Sequence, residues 1–349
     1  MLAKRLLSTL LLCLSFDPII SIPKDLRPVP NNILDVILED GRFSRLIDIL
    51  GSHQGLAGDL TDPRQEVTFL APIDSAFEKI QDKHYGRIPK EQIQDLLDYH
   101  VLPGAIDTDL FEDKHLFETL LQSYSLKGHH QHIRVIHHNG VPYLNDRVQI
   151  IDGDLEATNG YVHAVDELLT LPPSIHKVIR QFDRYHFSIL VSALSDTRLF
   201  KTIESKRGIT GFLPTNNAFR SLGCRNLKYL FSSKGEEDLE RLLEYHFSPK
   251  IVYTTELNQK YRFVDMNEPQ QYSREIEIPT LLGNERISLK AKRLQSGRVR
   301  VKVNDYANVI YDDAITENGV LHVIDSVLIP EDLDLPDPEW MDDEYCDEF

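Results

Sequence analysis

One sequence pattern occurs twice in this chain, at a spacing of about 150 residues. Three segments recur in the same order: 67–77 with 209–219, 96–103 with 242–249, and 159–169 with 318–328. The offset rises from 142 residues in the opening segment to 159 in the closing segment, so the second copy carries insertions. This period is too long for a solenoid repeat and indicates a duplicated domain. The length of 349 residues agrees with two domains.

Each copy predicts helices first and strands afterwards. The opening segment is a short apolar run that stops at a proline, which is typical of a strand, and a helix follows it. The expected helix cap is Asp74 or Ser75 in the first copy and Asn216 or Asn217 in the second. The polar stretch Gly51–Glu66 predicts a surface loop. The closing segment begins with an Asn-Gly turn and continues as a strand, so the layout predicts an α+β fold.

The repeated segments resemble the motifs of the fasciclin-like (FAS1) domain family. The opening segment is similar to the form T-x-F-A-P-x-[DN]-x-A-F, from which the second copy departs at Gly211 and Leu213. The middle segment carries the family's Tyr-His motif, and the closing segment is similar to N-G-x-[VI]-H-x-[VI]-D-x-[VL]-L. The resemblance covers residues 30–171 and 174–331, and tandem pairs in fungal secretory or vacuolar proteins look similar.

This resemblance implies both a fold and a role. Each domain is expected to be a seven-stranded β wedge covered by helices. The usual role of the family is cell adhesion or extracellular-matrix binding, without catalysis, and no cofactor is expected. The expected partner is therefore a protein or a cell-surface or matrix macromolecule.

Residues 1–15 are expected to be a signal peptide. Lys4 and Arg5 precede an apolar run of about eleven residues, too short to span a bilayer, and Cys13 and Ser15 suit cleavage after residue 15. An uncleaved anchoring segment is the alternative. The chain has no Asn-x-Ser/Thr sequon, and cleavage leaves only two cysteines. Secretion to the cell surface and retention in the lumen of the endoplasmic reticulum or vacuole therefore both remain open.

The charge of the chain is uneven. The net charge is −17, and ten acidic residues lie within residues 331–349. No basic face is implied, which argues against nucleic acid as a partner. Residues 332–349 are expected to form a disordered, solubilising acidic tail, with docking on a basic surface as the alternative. No later apolar stretch reaches transmembrane length, so no membrane span is expected.

Four residues of the middle segments are candidates for a binding surface. Tyr99 with His100, and Tyr245 with His246, could offer an aromatic anchor beside a hydrogen-bonding neighbour. The alternative is structural: the tyrosine packs in the core and the histidine bonds a carbonyl group at the helix end. Binding through these residues requires an exposed Tyr-His edge in at least one copy.

Two further histidines lie in the middle of the closing strands. We expect His163 and His322 to be core residues hydrogen-bonded to the region of Asp74 or Asn216, because a buried polar group needs a partner. A role as ligand or catalytic base is the alternative. Cys224 is expected to be a buried, inert thiol.

Five of the fourteen histidines lie within ten residues of the first copy. In a strand His130 and His132 share a face, and a hairpin partner could bring His137 close to them. Such a group could bind Zn²⁺ or Cu²⁺ or sense pH in an acidic lumen. No cysteine or paired carboxylate completes a site, so we expect a solvated hairpin without metal.

The sequence contains no Gly-x-Ser-x-Gly, His-Glu-x-x-His, Cys-x-x-Cys or phosphate-binding glycine loop. We therefore expect a non-enzymatic protein that binds other macromolecules in the manner of adhesion proteins. The alternative is a luminal structural or assembly factor of the secretory pathway, the vacuole or the cell wall. The oligomeric state is left open.

Overall fold

The computed structural model describes residues 32–82, 92–113, 116–182, 184–259, 274–293 and 299–335. Within these ranges the chain forms two α+β domains, as the sequence pattern predicted, and each is organised around one seven-stranded sheet, as the family resemblance implied. The expected signal peptide lies outside the described residues, as does the acidic tail beyond residue 335. None of the helices in these ranges has the length and apolar character needed to cross a membrane.

The first domain contains six α-helices and seven strands among the described residues. Its helices are α1 (Ile33–Glu39), α2 (Ser44–Gly51), α3 (Gln54–Thr61), α4 (Asp74–Asp82), α5 (Ile93–Tyr99) and α6 (Thr108–Asp113). Its strands are β1 (Val67–Pro72), β2 (Val101–Pro103), β3 (Leu116–Gln122), β4 (His130–His138), β5 (Val141–Leu144), β6 (Val148–Ala157) and β7 (Gly160–Val165).

The first and last strands of this domain lie side by side within the sheet. The strand order is β2-β1-β7-β6-β5-β4-β3, with β1 parallel to β7 and antiparallel to β2. Strands β2 and β3, at the two ends of this order, approach each other, so the sheet is nearly closed. Val67 and Phe69 pack with the helices α1–α3, whereas Leu70 packs with apolar residues of β3–β6. Strand β1 is therefore covered on both faces and is buried along its whole length.

The second domain repeats this architecture. Its helices are α7 (Ile175–Gln181), α8 (Arg184–Asp196), α9 (Leu199–Ser205), α10 (Asn216–Arg220), α11 (Cys224–Leu230), α12 (Glu236–Tyr245) and α13 (Thr254–Gln259). Its strands are β8 (Ile209–Pro214), β9 (Phe247–Ser248), β10 (Arg274–Pro279), β11 (Arg286–Arg293), β12 (Val299–Val303), β13 (Ala307–Thr316) and β14 (Gly319–Ile324). The order is β10-β11-β12-β13-β14-β8-β9, and β14 runs parallel to β8.

The prediction of a surface loop over Gly51–Glu66 is wrong, because α3 forms there. Leu56 and Leu60 lie one helical turn apart and are 1% and 0% exposed. Their burial against the core formed with α1 and α2 outweighs the low helix propensity of the two glycines in α3. The amide of Asn159, in the closing motif, donates to the carbonyl of Leu60 at 3.0 Å and holds the helix against the sheet.

The expected cap of α10 is also corrected. The side chain of Thr215 accepts a hydrogen bond from the N–H of Ala218 and caps the helix. Neither Asn216 nor Asn217 has this role, because both lie inside the helix, and Asn216 accepts instead from the N–H of Ile189 within α8.

The acidic tail was expected to be disordered from residue 332, and this is wrong for its first four residues. Leu333 is 7% exposed and Leu335 packs against the same apolar cluster of the second domain. Asp332 forms an ion pair with Arg241 of α12. Apolar burial and this ion pair therefore attach residues 332–335 to the helical side of the domain.

Candidate functional site

The tyrosines of the Tyr-His motif join a helix to a distant turn of the sheet. The hydroxyl of Tyr99 donates to the carbonyl of His132 at 2.9 Å and accepts from the side-chain amide of Asn145 at 2.8 Å. Tyr245 makes the same pair of bonds, with a backbone carbonyl at 3.0 Å and the amide of Asn304 at 2.8 Å. Both asparagines have left-handed backbone conformations in turns that follow β5 and β12. Burial raises the pKa of both tyrosines.

The neighbouring histidines join the same helix to the end of the closing strand. In His100, Nδ1 lies 2.7 Å from the carbonyl of Leu96, and Nε2 accepts from the N–H of Leu169 at 3.0 Å. His246 repeats both contacts, with the carbonyl four residues earlier at 2.7 Å and the N–H of Leu328 at 2.9 Å. These partners fix a neutral imidazole with its proton on Nδ1. Burial lowers the pKa of both histidines to about 4.

An exposed Tyr-His edge, which binding through this motif requires, is not present in either copy. Tyr99 and His100 are 0% and 2% exposed, and Tyr245 and His246 are 3% and 0% exposed. The structural alternative accounts for every contact of these four side chains. Their participation in partner binding stays a prediction, and in this conformation they have no surface with which to touch a partner.

His163 and His322 lie in the core, but the partners expected for them are wrong. The Nε2 of His163 lies 2.8 Å from the carbonyl of Ile106, and its Nδ1 accepts from the N–H of Asp154 at 3.0 Å. His322 makes the equivalent contacts at 3.0 and 3.2 Å. Burial lowers the pKa of His163. The histidines bind the loop that follows the Tyr-His motif, so they fasten the motif to the closing strand.

Asp74 and Asn216 instead hold an earlier helix in each domain. The carboxylate of Asp74 accepts from the hydroxyl of Ser44 at 2.6 Å and from the N–H of Arg45 at 2.9 Å. In the second domain, Oδ1 of Asn216 accepts from the N–H of Ile189 at 3.0 Å, and its amide donates to the preceding serine hydroxyl at 2.8 Å. An acid and an amide thus perform the same task at equivalent positions.

Each core histidine also belongs to a His–Asp–Thr group. The carboxylate of Asp154 accepts from the N–H and the hydroxyl of Thr108, at 2.8 and 2.5 Å. The carboxylate of Asp313 accepts from the same two groups of Thr254, and burial raises the pKa of Asp313. The threonine hydroxyl donates to the carboxylate of the aspartate. The Nδ1 of the histidine accepts from the backbone N–H of the same aspartate. The histidine therefore has no hydroxyl to activate, and the group serves to close a loop.

A clamp between β4 and β13 fixes the two domains to each other. The guanidinium of Arg134 donates to Asp146 at 2.8 Å and to the hydroxyl of Tyr311 at 2.6 Å, and it lies 4.3 Å from the centre of that tyrosine ring. The side-chain amide of Gln131, which is 2% exposed, donates to the carbonyl of Thr316 at 3.1 Å. Charged, aromatic and backbone groups therefore join the domains at one place.

The histidine-rich part of β4 lines a cleft of about 640 Å³ beside this clamp. His129, His130 and His132 come from the first domain, and Lys250 and Tyr253 come from the second. The rings of His132 and Tyr253 pack with their centres 4.1 Å apart. The sequence placed His130 and His132 on one face, and both do line the same cleft.

His137 does not join the other two candidates for metal binding. It lies on the same strand, β4, but at an odd number of residues from His130 and His132, so its side chain points to the opposite face of the strand. Its cross-strand neighbour is Pro142. The proposed hairpin approach of His137 to His130 and His132 is therefore wrong. Within the part of the chain that the structure describes, no three His, Cys, Asp or Glu side chains are arranged to hold a metal ion.

Cys224 was expected to be a buried free thiol, and this is wrong. It is only half-buried at the start of α11, and it is disulfide-bonded. The sequence holds two other cysteines, Cys13 and Cys346, and both lie outside the described residues. The sequence alone does not show which two of the three cysteines form a disulfide, so the bond at Cys224 could not be predicted.

Sequence reasoning missed an exposed isoleucine that is repeated in both copies. Ile151 in β6 and Ile310 in β13 are 44% and 58% exposed. In each strand the pairing register shifts at this residue, so each isoleucine occupies a β-bulge. Both positions follow another apolar residue, Ile150 or Val309. This break in the alternation at equivalent positions of the two copies is the signal that could have revealed them.

The fold, the paired sheets and the repeated motif contacts define a tandem FAS1 protein. A family model described as Fasciclin domain matches residues 41–172 and 185–330, and the chain belongs to this family. The chain is 26% identical over 322 residues to "Aurofusarin biosynthesis cluster protein S" of Gibberella zeae, which covers 85% of this chain and 77% of the relative.

Further relatives are longer than this chain. This chain is 24% identical to a "Fasciclin-like arabinogalactan protein" of Arthroderma benhamiae, and the alignment covers 78% of this chain and 61% of the relative. It is 24% identical to human periostin, over 87% of this chain and 32% of the relative. A solved FAS1 domain pair from the insect cell adhesion molecule fasciclin I aligns with a TM-score of 0.40 and 18% identity, over 83% of this chain and 98% of that chain.

Proposed function

We propose that this chain is a non-enzymatic binding protein of the adhesion type. Its two FAS1 domains, held together by the Arg134 clamp, contact a protein or a cell-surface or matrix macromolecule as one unit. Membership of the fasciclin family supports this role. The polar groups of the repeated motifs bind one another and the backbone, which supports a structural role for them and no chemistry.

The observation that carries the proposal is the repeated bulge at Ile151 and Ile310. A single exposed isoleucine is ordinary on a protein surface. Here the same residue type occupies the same irregularity in both copies, and bulges commonly re-aim a side chain. Two equivalent apolar contacts on one rigid chain would strengthen each other through effective concentration. The pair therefore suits an extended or repetitive macromolecular partner.

We further propose that the chain enters the secretory pathway. In this proposal a signal peptide, residues 1–15, is removed, and domains 30–171 and 174–331 remain with the acidic segment that follows them. The mature protein is secreted to the cell surface or stays in the lumen of the endoplasmic reticulum or vacuole. The disulfide at Cys224 supports an oxidising compartment, because disulfides are rare in the cytosol.

An adhesion assay on coated beads tests the proposed function. Beads that carry the purified chain are passed under flow over cells of the kind that produces the protein. The same beads are passed over matrix extracted from those cells. The test variant is the double substitution Ile151→Ser with Ile310→Ser. The matched control is Leu110→Ser, since Leu110 is 46% exposed and lies on α6 and not at either bulge. Circular dichroism melting shows that each variant is folded.

We expect wild-type beads and Leu110→Ser beads to be retained equally, and the double variant to lose most of the retention. Equal retention of the double variant would remove the bulge isoleucines from the binding surface. If wild-type beads bind neither cells nor matrix, and the tagged protein remains inside the cell, the adhesion role is overturned. The luminal structural or assembly role would then be favoured.

A further inference from the structure

The cleft between the domains has the size and lining of a small-molecule site. Its volume is about 640 Å³, within the range of roughly 300–1,000 Å³ that is usual for ligand pockets. Residues of β3 and β4 form one wall, and the segment after β9 forms the other. The two domains are joined next to it through an apolar cluster that includes Leu116, Tyr253 and Val320. The cleft is therefore part of a packed junction.

The walls of the cleft offer both apolar and cationic surface. Leu116, Phe117 and Tyr253 are 2%, 2% and 4% exposed, so these side chains are already packed and provide a firm apolar lining. Ile251 and Pro249 extend this surface on the side of the second domain. An apolar molecule in the cleft would meet preformed surface and would lose little affinity to reorganisation.

The ionisable residues of the lining are mostly basic, although the chain carries a net charge of −17. The lining contains two lysines and three histidines: Lys127, Lys250, His129, His130 and His132. Among the described lining residues Glu118 is the one carboxylate, and it lies 3.9 Å from Nε2 of His132. A concave site with one sign of charge concentrates ligands of the opposite sign.

Contacts within the lining hold two of these basic side chains in place. The ammonium of Lys127 donates to the carbonyl of Pro249 at 2.7 Å and so bridges the cleft from one domain to the other. Nδ1 of His130 lies 2.8 Å from the carbonyl of Thr119, which orients the ring. His129 and Lys250 are exposed at the rim.

We propose that the cleft binds a small organic anion with an apolar body, such as an aromatic carboxylate or sulfonate. The apolar walls take the body of the ligand, and the lysines and histidines attract its acid group. This site is independent of the proposed adhesion role, because it needs no macromolecular partner and lies on the junction rather than at the bulges.

Two fluorescent probes of similar shape test the proposal with the purified full chain. Anilinonaphthalene sulfonate carries an acid group, and N-phenylnaphthylamine is its neutral counterpart. The test variant is Lys250→Gln with His129→Gln, which removes two exposed basic side chains at the rim and no core contact. The control is Lys201→Gln, an exposed lysine of α9 outside the cleft. Fluorescence titration at low and high salt gives affinity and stoichiometry.

We expect one sulfonate probe per folded chain, bound more tightly than the neutral probe and more weakly as salt rises. The double variant should bind the sulfonate about fivefold to twentyfold more weakly, with unchanged affinity for the neutral probe. Lys201→Gln should match the wild type. Equal binding of both probes to the wild type, or an unchanged sulfonate affinity in the double variant, would overturn the proposal.

Discussion

The imidazole of His100 accepts a hydrogen bond from the backbone N–H of Leu169, which lies 69 residues later in the chain. His246 and Leu328 form the same bond in the second domain, across 82 residues. Each bond ties the end of a helix to the chain that leaves the closing strand. The acceptor is Nε2, so each bond exists only while the imidazole is neutral.

The stability of the protein should therefore fall as the pH drops below about 6.5. The folded pKa of His100 and of His246 is about 4, below the ordinary value of about 6.5 for histidine. The unfolded chain takes up protons first as the pH falls, so the stabilisation is complete above about pH 6.5 and is lost progressively towards pH 4. When the pH falls from 7.5 to 5, protonation of each of these histidines in the unfolded chain should lower the free energy of unfolding by about 2 kcal/mol.

Urea unfolding at several pH values checks this expectation. His246→Gln removes one of the buried histidines whose pKa is lowered, so its free energy of unfolding should change less between pH 7.5 and 5 than that of the wild type. Carboxylates titrate alike in both proteins, which makes the difference specific to the histidine. An identical pH dependence would contradict the assignment of a neutral, buried imidazole.

Removing the motif hydroxyls should destabilise each domain without removing an aromatic ring. Tyr99→Phe and Tyr245→Phe each leave a carbonyl and an asparagine amide without their bonds to the hydroxyl, which should cost about 1–3 kcal/mol. Tyr124→Phe is the control, since Tyr124 is 79% exposed, and it should have little effect. Thermal melting measures the difference.

The same variants test the remaining prediction of a binding role for the Tyr-His motif. On sequence grounds the first copy suits a packed contact better, so substitution of Tyr99 should weaken partner binding more than substitution of Tyr245. The buried positions of both residues lead us to expect equal bead retention for both folded Phe variants. Selective loss of retention with Tyr99→Phe would show that the motif opens to reach a partner.

The glycine that begins each closing strand should tolerate no side chain. A Cβ atom at Gly160 would lie 1.8 Å from the carbonyl oxygen of Val67, and one at Gly319 would lie 1.8 Å from that of Ile209. Alanine at either position must separate the parallel central strands, and we expect insoluble or strongly destabilised protein. Gly58→Ala in α3 is the control, since its Cβ meets nothing within 4 Å, and it should stabilise by up to about 1 kcal/mol.

Local patterns predicted the repeated strands and the helix that follows each opening strand, because burial of β1 and β8 on both faces leaves continuous apolar runs that stop at a proline. The helix α3 was missed because Leu56 and Leu60 give too short a pattern between polar residues, and their burial depends on α1 and α2. The face of His137 follows from the alternation of side chains along β4, but the partners of His163 lie in segments distant in the chain. Such contacts have no signature in local sequence.

Breaking the clamp between the domains should let them unfold separately. Arg134→Met removes the ion pair with Asp146 and the hydrogen bond to Tyr311 while keeping an unbranched side chain. We expect one calorimetric transition for the wild type and two for the variant. The control is Arg64→Met, because Arg64 is 87% exposed and its ion pair with Asp62 is local. A single transition in both variants would show that the contacts left after the loss of Arg134, such as the Gln131–Thr316 bond and the apolar cluster, are enough to couple the domains.

The last prediction concerns the disulfide of Cys224. Removal of residues 1–15 would eliminate Cys13, so Cys346 would be the one cysteine left in the mature chain to pair with Cys224. We expect non-reducing peptide mapping of the mature protein to recover a 224–346 linked peptide, and Cys346→Ser to make Cys224 reactive towards an alkylating reagent. Closing a loop of this length should stabilise the second domain by about 5 kcal/mol against unfolding. Recovery of a 13–224 linked peptide would instead show that the first residues are retained, and would overturn the proposed signal cleavage.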